Sequence, residues 1–521
     1  MTAGSITAYR SAQRTADDGF RHLLHAEWTK FRTVRGWLVA VVAAMVLIDV
    51  VGLLLVHDGT RSSGQPRSVP AGPGGEAVVD SFTLVGQPAA AYGSLTVRVT
   101  SLTGRHGTVS SPSLVRGVVP WAKAGIIITQ STRQGAAYAA LMVTGGHGVR
   151  MQANYNSDVA GMPGAASPRW LRLTRSGDMV TGYDSAGGSH WAEVGTVHLT
   201  GLPPVAQAGL FVTSPMTFTP NFPSFAATGG SSVPSVATGV FDHVTLSGAQ
   251  PGGHWAGQVV GADGPTIGTI GQHGLGFRAA GGRFTVTGSG DIAPVVAGGT
   301  NSTYLTGTIG DRLAGLIFGM LVLMVVGVLF ITAEYRRGLI RTTLTASPRR
   351  GRALAAKVLV AGLAAFVLGL PATALAVVAG AQLSRNGGQY VLPVGWPTEL
   401  RVIAGSAALL GVATVLAVAV GTILRRGVLA VVTVFAVVLL PYVLGYTSVL
   451  PPSGARWFFQ VTPAAAFAIQ QSVPQYPQVS AAQYGPPDYF PLSPWAGFAV
   501  LCAYTAAALA LAFFLLRRRD A

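Results

Sequence analysis

Few side chains in this sequence have the type and spacing to do chemistry. Three lysines stand among 521 residues, Lys30, Lys123 and Lys357, and they follow Thr29, Ala122 and Ala356. A phosphate-cradling Walker A loop needs a Gly-Lys pair, so any ATP is handled by another chain. The single cysteine, Cys502, sits in an apolar run. It excludes an internal disulfide framework and a Cys-based zinc site, and reads as a small buried hydrophobe. Between residues 57 and 312 the only glutamates are Glu76 and Glu193, in unrelated contexts. Glycoside hydrolysis needs paired carboxylates about 5–5.5 or about 6.5–9.5 Å apart, and no close acidic motif supplies them. His106, His147, His190, His198 and His243 lack metal-ligand spacing and read as surface or loop residues. No catalytic, cofactor-binding or metal site follows from these residues. Trp121, Trp170 and Trp191 can stack on a sugar ring, which makes them candidate ligand contacts, or can anchor an apolar core.

The elements that would position these residues are mostly apolar. Half of the residues are hydrophobic, 10% are charged and the net charge is +16. Soluble domains carry about 25% charge, so an ordinary cytosolic protein is excluded. Crossing a bilayer takes about 20 apolar residues. Six runs qualify, at 36–56, 313–333, 354–382, 402–424, 427–448 and 495–516. The first is too long for a signal-peptide core and reads as a retained anchor. Asp49 lies inside it, an intramembrane polar site suited to a pathway, an interfacial position or an interhelical hydrogen bond.

Lysines and arginines alternate across these runs. The N-terminal flank, the loops after the second and fourth runs and the C-terminal tail carry 18 of them, against Arg385, Arg401 and Arg456 on the opposite side. The positive-inside rule then places both termini in the cytoplasm and residues 57–312 outside the cell. Topology accounts for the basic charge, and no nucleic acid is needed to explain it. The lipid bilayer is the first partner.

Residues 57–312 read as an all-β sandwich, jelly-roll-like, with 14 basic against 11 acidic residues. A Gly/Pro/Ser linker at 57–75 leads into short alternating runs at 95–102, 125–129, 137–144, 149–155, 170–174, 179–183, 191–199, 208–213 and 241–246. Turn residues bound each of them. In Trp170-Leu171-Arg172-Leu173 the alternation puts Arg172 on the wet face. A further strand and a membrane-proximal turn region follow at 282–298. The runs WAKAGIIITQS, YAALMVTGGHGVRMQ, RWLRLTRSGDMVTGYDSAGGSHWAEVG, VAQAGLFVTS and FDHVTLSG resemble the concanavalin-A-like lectin/glucanase sandwich.

The parts read as cytoplasmic carry the functional signal. Residues 1–35 contain an amphipathic helix at 18–35, with Phe20, Leu23, Leu24, Trp28 and Phe31 on one stripe. Segment 334–357, EYRRGLIRTTLTASPRRGRALAAK, is Arg-rich and broken by Pro348. It suits a compact hairpin that docks on another protein. AEWTKFRTVRGW (26–37), segment 334–357, RWFFQVTPAAAFAIQQ (456–471) and RRRDA (517–521) together resemble the permease subunit of type-two ABC exporters. They match its elbow helix, coupling-helix loop, external segment before the last span and C-terminal end.

The resemblance implies six spans per subunit, with 313–521 holding five of them and an external segment at 449–494. It also implies a second permease subunit, identical or not, and ABC ATPase subunits that bind the ATP, the permease having no cofactor of its own. Glu334, Arg336, Arg337, Arg341, Arg349 and Arg350 are then the ATPase-coupling residues, and the cargo is a hydrophobic or amphipathic solute moved outward. The large insert between the first two spans departs from the family pattern. It keeps a second reading open, a cell-envelope sensor or glycan-binding surface protein that signals through an ABC-type bundle, with cell-wall glycan as partner.

Overall fold

The computed structural model describes residues 20–61, 69–108, 111–162, 168–220, 230–261, 275–296, 306–336, 350–446, 450–479 and 489–518. Its helices are α1 (Phe20–Thr33), α2 (Arg35–Arg61), α3 (Ile309–Arg312), α4 (Leu316–Arg336), α5 (Arg350–Asn386), α6 (Trp396–Leu424), α7 (Gly427–Tyr446), α8 (Pro452–Val461) and α9 (Pro494–Arg518). Six of these, α2, α4, α5, α6, α7 and α9, are long and apolar enough to cross a membrane. In such a setting the backbone must satisfy itself, which helices do internally.

α6 is the hub, packed against α4, α5 and α9. It meets α5 at facing glycines: a Cβ on Gly411 would stand 3.0 Å from the Gly362 carbonyl oxygen. Absent side chains let two backbones approach, the usual packing device inside bilayers. α6 ends on Arg425 in the left-handed region (φ 57°), and the Arg425 N–H donates to the Gly421 carbonyl. The chain therefore turns straight into α7. Pro371 lies within α5 and removes one ladder donor. Outward faces stay apolar, as in Val39, Val42, Val46, Val50 and Leu54 of α2.

The described part of segment 334–357 is divided between two helices. Glu334–Arg336 complete α4, and 350–357 form the first two turns of α5. The basic residues on the Ala-rich start of α5 extend the apolar helix instead of a loop, because Ala and Arg are good helix formers. Arg337, Arg341, Arg349 and the Pro348 break lie outside the described residues.

The β domain is a large antiparallel sheet, jelly-roll-like and nearly closed. Its strand order is 192–198, 179–185, 169–176, 82–108, 206–213, 123–129, 138–144, 149–153, 157–160. Strand Phe82–Thr108 is its spine, pairing Ala206–Thr213, Arg169–Ser176, Ser235–Ala249 and Ala256–Val260 along its length. Lys123–Thr129 is buried throughout: Ile126 and Ile128 enter one core and Ile127 the other. A strand covered on both faces explains the unbroken apolar run Gly125–Thr129. Strands at 256–260, 276–280 and 283–288 belong to the same sheet, so the domain continues past residue 248.

A small second sheet, Val78–Asp80 with Ile292–Pro294, joins this domain to the bundle. Ala293 and Val296 pack on Val473 and Val479 of the segment after α8, beside Leu392 and Tyr476. Thr306–Gly307 pairs with Tyr390–Val391 between α5 and α6. The expected external segment 449–494 thus contains α8, a 3₁₀ helix at Pro463–Gln470 and the surface that receives the β domain.

Candidate functional site

Two of the three lysines meet two glutamates at the end of the bundle opposite the β domain. Lys357 Nζ, in the second turn of α5, donates to Glu27 Oε2 of α1 at 2.7 Å and to Glu334 Oε1 of α4 at 2.8 Å. Lys30 Nζ donates to Glu27 Oε1 at 2.8 Å and to Glu334 Oε1 at 3.4 Å. Lys357 Nζ also lies 4.3 Å from the centre of the Phe330 ring, on which Phe31 and Trp37 stand edge-on. Two acids and two bases cancel, so the cluster is neutral as a unit. A compact ammonium with three donors reaches two carboxylates and a ring face together.

Glu27 and Lys357 are buried, Lys30 is exposed and Glu334 lies between. Burial alone raises the Glu27 carboxyl, but Lys357 and Lys30 hold it below its ordinary value. Burial likewise lowers Lys30, yet its bonds to Glu27 and Glu334 leave its ammonium raised. The cluster straps the amphipathic helix to α4 and α5, the helices on either side of residues 337–349. Glu27 was not part of the expected stripe. The stripe logic predicts Trp28 inside, whereas Trp28 is 44% exposed and Glu27 occupies the inward face with Phe31. A charged residue turns inward because its counter-ion, Lys357, comes from a helix some 330 residues away in sequence.

The expected coupling residues separate. Glu334 is engaged inside the chain. Arg336 is exposed at the end of α4. Arg350 Nη1 donates to the Leu516 carbonyl at 3.0 Å, satisfying one of the last acceptors of α9. Arg337, Arg341 and Arg349 lie outside the described residues. Asp49 is half-buried in α2, and its Oδ1 is buried with no hydrogen-bond partner among the described residues.

In the β domain the three tryptophans part. Trp121 is buried, stacked on His147 at 3.9 Å. Trp170 does not join the core. It shares the outer face of its strand with Arg172, while Leu171 and Leu173 point inward. Arg172 lies 4.0 Å over Trp191, and Arg98 5.7 Å over Trp170. Arg98 forks onto Asp242 with two bonds of 2.7 Å, which pulls that carboxyl down to about 2. Trp170, Arg172, Trp191, Arg98 and Asp242 form one amphipathic surface patch. Among the described residues no group of three or more His, Cys, Asp or Glu gathers to hold a metal.

Residues 21–521 match the family described as ABC-2 family transporter protein. A search of curated proteins finds no match. Among solved structures, the chain shares similarity with a GH43 protein from Bacillus licheniformis, at 17% identity over 23% of this chain and 24% of that one, TM-score 0.18. The chain thus spans about a quarter of the length of that protein. A functionally unknown protein from Saccharomyces cerevisiae matches at 14% identity over 36% and 86%, TM-score 0.20. SCP-B, of the eqolisin family of peptidases, matches at 10% over 42% and 100%, TM-score 0.25. TM-scores this low carry no argument about the chemistry of the β domain.

Proposed function

The chain belongs to the ABC-2 family of transporter proteins, and from that premise we propose that it is the permease subunit of an exporter, moving a hydrophobic or amphipathic solute outward. As a multi-pass membrane component of a transporter it is not itself an enzyme. ATP is bound and hydrolysed by a separate ATPase subunit, and a second permease subunit completes the pathway. Both termini and segment 337–349 face the cytoplasm, and the β domain faces outside.

The observation that carries this reading is the four-residue ion cluster. It binds α1, α4 and α5 into one body beside the basic segment 337–349. A push on that segment by an ATPase is then delivered to three helices together. Arg336, Arg337, Arg341 and Arg349 form the docking surface, with Arg350 and Glu334 holding its base. Arg337→Glu with Arg341→Glu is expected to reduce co-purification of the ATPase subunit at least tenfold, with membrane insertion unchanged. Undiminished co-purification would sink the docking assignment.

The outer-face patch of Trp170, Arg172 and Trp191 favours a second reading, recognition of cell-wall glycan by the β domain, since aromatic faces flanked by charged donors suit sugar rings. In that case the bundle relays occupancy to the ATPase without net transport.

A further inference from the structure

Arg312 ends the four-residue helix α3, just before α4 enters the apolar layer. It is 4% exposed, and its Nε and Nη2 are buried with no hydrogen-bond partner among the described residues. The adjacent acid is directed elsewhere: Asp311 Oδ2 accepts from Thr308 N–H and Oγ1 at 2.8 Å each, closing the start of α3. Asp311, Arg385 and Glu399 reach Arg312 only through their longer-range fields. Removing an ion from water without a partner costs several kcal/mol, and arginine does not escape by losing its proton.

The side chain is nevertheless held in place. Gly380 of α5 faces its stem, and Gly52 of α2 faces the Arg312 backbone. A Cβ on Gly52 would stand 2.6 Å from the Arg312 carbonyl oxygen, and one on Gly380 3.0–3.1 Å from the Arg312 stem. Two membrane helices thus leave out a side chain each to seat this one residue. A further buried donor without a partner, Gln470 Nε2, belongs to the residue whose carbonyl lies 4.0 Å from the Cβ position of Gly310.

We propose that Arg312 is the binding site for an oxyanion, a phosphate or carboxylate, seated between α2 and α5 at the headgroup level of the bilayer. A guanidinium presents a planar fork that matches such groups with two parallel bonds. The site lies at the end of the bundle that carries the β domain, next to helices whose outward residues, Val50 and Leu54 of α2 and Leu375 and Val378 of α5, are apolar. The anion is supplied by an amphiphile's headgroup or by a dissolved ion. The inference rests on neither the direction of transport nor the ATPase contact.

The test uses the purified full chain in maltoside micelles with chloride buffer, titrated separately with short-chain phosphatidylglycerol, short-chain neutral diacylglycerol and inorganic phosphate. Melting temperature and native mass spectrometry are read for each. The wild type is expected to take up one phosphatidylglycerol and melt several degrees higher, with no response to diacylglycerol, and Arg312→Gln to lose the effect. An equal shift from inorganic phosphate, again absent in Arg312→Gln, assigns the site to a dissolved anion. Should Arg312→Gln not fold, Arg312→Lys keeps the charge without the fork, and at least tenfold weaker binding is expected. No response of the wild type to either anion, or an undiminished response in the variants, overturns the proposal.

Discussion

Lys357 shows how much one side chain can hold. Its ammonium contacts residues from α1 and α4 while standing on α5. Truncating one member of a buried ion pair costs about 3–5 kcal/mol, because the other charge is left without compensation. Lys357→Met leaves Glu27 and Glu334 sharing Lys30 alone, so it is expected to lower thermal stability by up to that amount, and adding Glu27→Gln to recover most of it, since Glu334 and Lys30 then balance. The pH dependence has a definite sign. Glu27 is depressed below its ordinary 4.5, so its contribution is full above 4.5 and lost as pH falls through the lower folded value. Lys30 is raised above its ordinary 10.5, so its contribution is full below 10.5 and lost as pH rises through the higher folded value. Protection of α1 from protease should therefore stay flat between about pH 5 and about pH 10. A step near neutrality would contradict this account.

Among the elements, α6 depends on close approach. At the Gly362–Gly411 crossing the two backbones fit only because both side chains are absent. Overpacking a fitted contact costs about 1–3 kcal/mol. Gly411→Leu is expected to cost that much in the thermal stability of the bundle, with Gly411→Ala milder, since its Cβ sits at the 3.0 Å limit. An unchanged melt for Gly411→Leu would mean that the crossing relaxes freely. In the β domain the corresponding element is strand 82–108. Because it bends through the whole sheet and pairs with five described strands in turn, a single strand sets both the register and the curvature.

For the whole molecule, the question is where the β domain ends and how it is held. Strands 256–260 and 283–288 complete the sheet, and 292–294 forms the second sheet with 78–80. Residues 69–296 expressed alone are therefore expected to give a β-type circular dichroism spectrum and a cooperative melt. A version ending at 248 should melt at least several degrees lower, having lost those strands. The isolated 69–296 domain also separates the two functional readings. Sedimentation with insoluble cell-wall glycan that Trp170→Ala and Trp191→Ala abolish favours recognition, and its absence leaves the exporter reading alone. Equal stability of both lengths would show that the later strands are accessory.

The sequence by itself determined the six spans, because twenty apolar residues in a row have one stable solution in a bilayer. Its alternating runs likewise announced the β strands, most within two residues of where they lie. The motifs in 26–37, 334–357 and 456–471 pointed to the family that the match over 21–521 establishes. Tertiary structure alone decided the partners. Glu27 looks like a surface acid on an amphipathic helix, and only the arrival of α5 makes it the counter-ion of Lys357. Trp170 shares the parity that puts Arg172 outward, and only the packed sheet sets Arg98 and Asp242 beside it. Arg312 is one of the 14 basic residues of 57–312, and only the packing of α2 and α5 encloses it. Periodicity is local and can be read along one strand or helix. Charge pairing and burial join residues hundreds of positions apart, so they exist only once the chain has packed.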